Sequence, residues 1–241
     1  MSDHDQMVYK AKLAEQAERY EEMVKFMKAV VTGSGGTLNM EERNLLSVAY
    51  KNAVGARRAS WRVLDSITRK EQSGENTKTL NISQQYKATV EKEIENICNE
   101  VVDLLENTLL RGKSLKAEEL VFYNKMKGDY FRYVSEVKDG STYNDAVESA
   151  KSSYENAMEH AKTLKATNPI RLGLALNFSV FHYEIVQDPS NACKLAKEAF
   201  DTAVGELEDL TEDEYKDATL IMQLLRDNLT LWQSEKEPDE A

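Results

Sequence analysis

Little in this chain breaks a helix. Only 3 prolines and 10 glycines interrupt 241 residues, and alternating β-branched runs bounded by turns are absent. That excludes a strand-rich sandwich or barrel and favours long helices. Cysteine is scarce: Cys98 and Cys193 are the 2 present, without C-x-x-C spacing. They fit two small buried apolar residues in a reducing compartment, not a disulfide framework or a thiolate metal site. None of His4, His160 and His182 follows a glutamate by three residues. The E-x-x-H pairs of a di-iron bundle and the H-E-x-x-H motif are therefore missing.

No run of ~18 apolar residues exists to span a bilayer, and Met1-Ser-Asp-His-Asp-Gln carries no signal-peptide pattern. The expectation is a cytoplasmic protein without a membrane partner, with a nuclear pool left open. Excess positive charge is missing too. The 31 Lys and Arg residues face 42 Asp and Glu, leaving a net charge of -11. That argues against nucleic acid as the partner, because a phosphate backbone needs a basic footprint. The Gly33–Gly36 loop is neither a P-loop nor a dinucleotide fingerprint, since Leu38 stands where a further glycine belongs. No Ser or Cys sits in a nucleophile elbow. These absences favour a binding module over an enzyme, with no catalytic residue, cofactor or metal. A helical hydrolase is the alternative from another class, and it lacks a visible nucleophile or metal site.

What is present is helical spacing. A helix pair is predicted over Asp3–Val31 with a break near Arg19–Glu21, then a loop over Thr32–Thr37. Asn39 with Glu42 reads as a capping box opening a long helix to Lys70. After a polar loop, Glu71–Thr79, a second long helix is predicted from Ile82 to Leu110. Further helices fit Lys116–Val137, Tyr143–Lys165, Asn168–Val186, Pro189–Leu207 and Thr211–Ser234, with Lys138–Ser141 read as a turn. Asn168-Pro169 and Asp188-Pro189 each set a cap before a proline at the first helical position. The predicted fold is all-α, about nine helices, mostly antiparallel neighbours because the connections are short. One helical domain over residues 1–234 is expected, then a short acidic disordered tail, 235–241, where Glu235, Glu237, Asp239 and Glu240 flank Pro238.

Within Glu41–Leu64, Lys51, Arg58 and Arg62 stand at i, i+7 and i+11, so they share one helix face. Such a stripe on an arbitrary helix is usually a solvated surface. In so acidic a chain it also fits a dianionic ligand such as phosphate. The fragment Lys125-Met-Lys-Gly-Asp-Tyr-Phe-Arg132-Tyr133 repeats the seven-residue spacing of cations and adds a phenol. Two more stripes are mainly apolar: Leu176 and Val180 with Asn177 and Glu184, and Leu224, Leu231 and Trp232 with Asn228. Their apolar members read as core. The asparagines need partners in a core, whereas in a groove an amide can bond a ligand backbone in both directions.

Glu42–Leu64, with R-N-L-L-S-V-A-Y-K-N-x-V-G-A-R-R, and Tyr215–Trp232 resemble the two signature stretches of the 14-3-3 family. The likeness runs from Asp3 to Ser234. It implies a nine-helix protomer, a cup-shaped dimer, and an amphipathic groove for phosphoserine or phosphothreonine peptides of client proteins in signal transduction. By position, the resemblance implies that Lys51, Arg58, Arg132 and Tyr133 bind phosphate. It implies that Asn177 and Asn228 hold the peptide backbone, with Glu184 and Trp232 as further polar contacts. Leu176, Val180, Ile221, Leu224 and Leu231 match the apolar wall, and Arg62 and Lys125 match accessory basic positions. A phosphate-independent, chaperone-like scaffold using the apolar wall is the alternative.

The dimer face carries departures. Leu13, Ala17, Arg19, Glu22, Ser60, Tyr86 and Glu93 stand where the family builds its interface. Gln6 replaces an acidic residue there and Thr89 a lysine, so two cross-subunit ion pairs are not expected. An Arg19–Glu93 pair is still available. Exposed pairs contribute under about 1 kcal/mol each, so a homodimer is expected to persist, with heterodimers left open. Arg57-Arg58-Ala59-Ser60 also matches a kinase pattern; Ser60 reads first as a small residue at the dimer seam. His182 stands where the family carries Tyr or Phe, and reads as a partly buried ring.

Overall fold

The computed structural model describes residues 2–74 and 76–235. Among them are nine α-helices and no strand. Most of the expected acidic tail, residues 236–241, lies outside the described residues. The chain divides into two compact units, Met1–Lys113 and Ser114–Ala241.

The first unit holds α1 (Asp3–Gln16), α2 (Tyr20–Gly33), α3 (Met40–Gln72) and α4 (Thr77–Leu104). Side-chain caps at α1, α3 and α4 satisfy first-turn N–H groups that a helix leaves without partners. The Ser2 hydroxyl accepts from the Asp5 N–H at 3.1 Å, and Asp5 Oδ2 accepts from the Ser2 N–H at 3.0 Å. The capping box expected at α3 is present: Asn39 Oδ1 accepts from the Glu42 N–H at 2.9 Å, and Glu42 Oε2 accepts from the Asn39 N–H at 3.0 Å. Glu42 Oε1 also lies 2.7 Å from His4 Nε2, which ties α1 to α3. The first break falls at Ala17–Arg19, slightly earlier than predicted, with Glu18 at a φ of 55°. The start of α4 is corrected from Ile82 to Thr77. Asn76 Oδ1 accepts from the N–H groups of Lys78 and Thr79 and starts the helix there. One π turn, Leu105–Leu109, follows α4.

Gly36 closes the turn before α3 at a φ of +78°, and a Cβ there would stand 2.5 Å from the Thr108 carbonyl oxygen. Only glycine tolerates both conditions. Met23, Met27, Leu46, Tyr50, Ile94 and Leu105 are among the largest fully buried side chains. Burial of each such side chain stabilises the fold by roughly 1.5–3 kcal/mol. The Tyr50 hydroxyl is satisfied by donating to Glu100 Oε1 at 2.8 Å, and Lys28 Nζ donates to Glu100 Oε2 at 2.8 Å.

The second unit holds α5 (Ala117–Ser135), α6 (Gly140–Ala161), α7 (Pro169–Glu184), α8 (Pro189–Val204) and α9 (Glu212–Ser234), with a 3-10 turn at Leu207–Asp209. The start of α6 is corrected from Tyr143 to Gly140: the helix begins inside the segment read as a turn, with Gly140 at a φ of +61°. Both cap-proline starts are as read. Asn168 Oδ1 accepts from the Ile170 and Arg171 N–H groups, and Asp188 Oδ1 accepts from the Asn191 N–H. Helix α7 serves two cores. Leu174, Phe178 and Phe181 pack with Val121 of α5 and Ala150, Tyr154, Ala157 and Ala161 of α6. Leu172 packs instead with Ala192, Ala196 and Ala203 of α8 and Ala218, Met222, Leu225 and Trp232 of α9. This double anchoring sets the rotation of α7, and so the direction of its remaining residues. Among the described residues no helix is long and apolar enough to cross a membrane.

Candidate functional site

In the first unit, the buried face of α3 carries Leu45, Leu46, Ala49, Tyr50, Ala53 and Val54. The opposite side presents Lys51 and Arg62 in solvent and Arg58 half-buried. The neighbouring cation behaves differently. Arg57 pairs with Glu21, and its Nε donates to Glu93 Oε2 at 3.3 Å. Those contacts hold the Glu21 carboxyl below its ordinary range, chiefly through the Arg57 hydrogen bond. Lys51 and Arg62 have no ion-pair partner among the described residues. Arg57 is thus neutralised within the fold, whereas Lys51 and Arg62 are left to a ligand or to water.

The second unit builds its site around a buried carboxylate, Asp129 of α5, 6% exposed. Asp129 Oδ1 accepts from the Tyr154 hydroxyl at 2.6 Å and from Asn177 Nδ2 at 2.9 Å. Lys125 Nζ donates to Asp129 Oδ2 at 2.9 Å. Arg132 Nη2 lies 3.7 Å from Asp129 Oδ1, its Nε donates to the Tyr154 hydroxyl at 3.2 Å, and its Nη1 donates to Glu136 Oε1 at 3.4 Å. The guanidinium carbon also sits 4.8 Å from the centre of the Tyr133 ring. Burial alone would raise the Asp129 carboxyl, but the charges of Lys125 and Arg132, with the Tyr154 hydrogen bond, hold it below its usual range. Burial of Arg132 would favour the neutral form, yet the surrounding oxygens keep it firmly cationic.

Four of the sequence-selected residues, Arg132, Tyr133, Asn177 and Lys125, are thereby placed on one local network or against it. Asp129 and Tyr154 carried no assigned role in the sequence. For Asp129 a signal existed: it stands at i+4 from Lys125 and i−3 from Arg132, which is helical ion-pair spacing. Tyr154 had none, because its contact spans two helices.

The α7 and α9 residues form a second strip. Leu176, Val180 and Ile221 are half-buried and pack against the α7–α9 core. Leu224 and Leu231 are exposed, as is Leu220, which the sequence reading missed although it stands at i−4 from Leu224. The side-chain amide of Asn228 is half-buried and has no hydrogen-bond partner among the described residues, and Glu184 is exposed. Trp232 is 4% exposed and stacks on Tyr183 with ring centres 4.6 Å apart, so most of its indole is core. His182 is buried, with ring centres 4.7 Å from Phe178 and 5.7 Å from Phe181, and touches the Asn191 amide.

The sequence profile of the 14-3-3 protein family matches residues 10–233. The chain belongs to the 14-3-3 family. It is 56% identical over 240 residues to 14-3-3 protein beta/alpha-1 of Oncorhynchus mykiss, covering 99% of this chain and 97% of that protein. It is 55% identical over 241 residues to 14-3-3-like protein F of Nicotiana tabacum, covering 99% of this chain and 93% of that one. Identity to human 14-3-3 protein eta is 54% over 243 residues, covering 100% of this chain and 98% of the relative. The nine-helix order agrees with the 14-3-3 fold. As a 14-3-3 protein the chain is a regulatory adaptor that binds client proteins, and the family is not one of enzymes.

The residues expected at the 14-3-3 dimer face all lie in the first unit. Leu13 and Tyr86 are exposed apolar side chains, and Ala17, Ser60 and Glu93 are exposed too. Arg19 pairs with Glu22 of the same protomer, and Glu93 is engaged by Arg57. A cross-subunit Arg19–Glu93 pair would exchange these partners.

Proposed function

We propose that this adaptor recognises client segments carrying phosphoserine or phosphothreonine, with the phosphate taken by Lys51, Arg58, Arg132 and Tyr133. The observation that carries the reading is a pair of cations on α3: Lys51 and Arg62 have no counter-ion among the described residues of a chain with net charge -11. A phosphoserine brings roughly −1.5 to −2 charges and three acceptor oxygens. Each charge-assisted hydrogen bond to it is worth about 1.5–3 kcal/mol. An unphosphorylated serine leaves the clustered cations repelling one another, so discrimination comes from that penalty as well as from attraction.

Asn177 and Asn228 bond the client backbone, Glu184 and the Trp232 edge add polar contacts, and Leu176, Val180, Ile221, Leu224 and Leu231 take its apolar side chains. Arg62 and Lys125 contribute field rather than direct bonds. Two protomers pair through Leu13, Ala17, Ser60 and Tyr86, with Arg19, Glu22 and Glu93 at the rim. A dimer gains avidity for doubly phosphorylated clients. The protein works in the cytoplasm. Phosphatase treatment of a bound client tests the reading: release is expected, whereas retention would favour a phosphate-independent scaffold.

A further inference from the structure

Asp129 is buried, and its two oxygens gather an ammonium, a phenol and an amide. A carboxylate with a depressed pKa only accepts hydrogen bonds. The Asn177 amide beside it therefore has one permitted orientation. Its NH2 faces Asp129 at 2.9 Å, and its Oδ1 faces away. The Tyr154 hydroxyl is polarised in the same manner. It donates to Asp129 at 2.6 Å, so its lone pair is left to receive Arg132 Nε at 3.2 Å. The chain of bonds fixes the plane of the Arg132 guanidinium from behind, while Glu136 holds one terminal nitrogen.

We propose that Asp129 is the positioning residue of the client site, setting both the Asn177 carbonyl as an acceptor for a client backbone N–H and, through Tyr154, the aim of the Arg132 fork. The inference rests on the phosphopeptide reading and deepens it. Lys125 has a defined place in this account: its ammonium neutralises Asp129 and does not itself reach for phosphate. Tyr154, the ring that packs on Phe178 with centres 5.2 Å apart, is the relay between the carboxylate and the cation.

The test uses the full chain and one serine peptide in phosphorylated and unphosphorylated forms, with affinity read by fluorescence anisotropy. Asp129→Asn preserves shape but can donate, which lets the Asn177 amide turn over. It is expected to weaken the phosphopeptide about tenfold, the effect of one misdirected hydrogen bond to a buried partner. The decisive readout is coupling. Asn177→Ala is expected to cost about tenfold in the parent but only about two- to threefold in the Asp129→Asn background, because that background has already lost the orientation. A purely structural role would let the two losses multiply, which overturns the proposal. Tyr154→Phe keeps the ring and removes only the relay hydroxyl. If Asp129→Asn fails to fold, a Tyr154→Phe protein with the parent's affinity overturns the proposal, and one weakened with intact helicity supports it. A parent that does not distinguish the two peptides overturns the phosphopeptide reading itself, and this inference with it. A parent that distinguishes them while Asp129→Asn binds equally well overturns the positioning role alone.

Discussion

Gly128 lies directly beneath the ring of Tyr154: a Cβ on residue 128 would stand 2.8 Å from two ring carbons. The glycine is mid-helix in α5. Replacing it by alanine would gain about 1 kcal/mol of helix propensity. Overpacking against a buried ring costs about 1–3 kcal/mol. The ring has little room to yield, since Tyr154 also packs against Phe178 and Phe181. Gly128→Ala is therefore expected to lower stability by up to about 2 kcal/mol in urea unfolding, the difference of those two effects. It should also weaken phosphopeptide binding, because Tyr154 holds Arg132. Unchanged stability and affinity would mean that this approach is unimportant.

His182 gives stability a pH dependence with a definite sign. Burial lowers its pKa below the ordinary 6.5; Lys151 acts in the same direction, while Asp188 and Glu155 oppose it. The unfolded chain therefore takes up the proton first as pH falls. The stability contributed by the neutral ring is fully present above pH 6.5 and is lost as the pH falls from there through the lower folded value. Thermal unfolding is expected to show a falling Tm across that window, and His182→Phe to flatten the fall. A parent whose Tm rises on acidification there would contradict this assignment.

Ser60 is exposed on α3, where its hydroxyl donates back to the Ala56 carbonyl at 3.1 Å. Val63 and Ile67 nearby are exposed apolar side chains of the same helix. A charge introduced beside such a surface opposes its burial in an interface. Ser60→Glu is expected to shift sedimentation velocity toward monomer at micromolar concentration while the parent remains dimeric. Equal dimerisation of the two would remove Ser60 from the interface, and a monomeric parent would overturn the dimer.

Local devices were legible where chain-adjacent chemistry sufficed. The Asn39–Glu42 box and the Asn168-Pro169 and Asp188-Pro189 starts each depend on residues within three or four positions. Asn76 does not stand out because its neighbours are polar and the apolar spacing begins only later, so the cap is hidden in an apparent loop. Gly140 reads as a turn residue in the sequence, yet its positive φ suits the entry to α6 as well. The cations proposed to take phosphate show themselves by spacing and by resemblance. The network that aims one of them did not, since Asp129, Tyr154 and Asn177 come from three helices and meet only through the packing of α5, α6 and α7. The two cores served by α7 were hidden likewise, for a helix flanked on two sides reads simply as apolar.

Titration calorimetry of the parent and of Lys51→Glu with a matched pair of phosphorylated and unphosphorylated peptides tests the central claim most directly. The parent is expected to bind the phosphorylated form at least about 100-fold more tightly, the value of roughly two charge-assisted bonds. Lys51→Glu is expected to lose most of that preference while retaining its helical spectrum. Equal affinity of the parent for both peptides, or an unchanged preference in Lys51→Glu, would contradict the account.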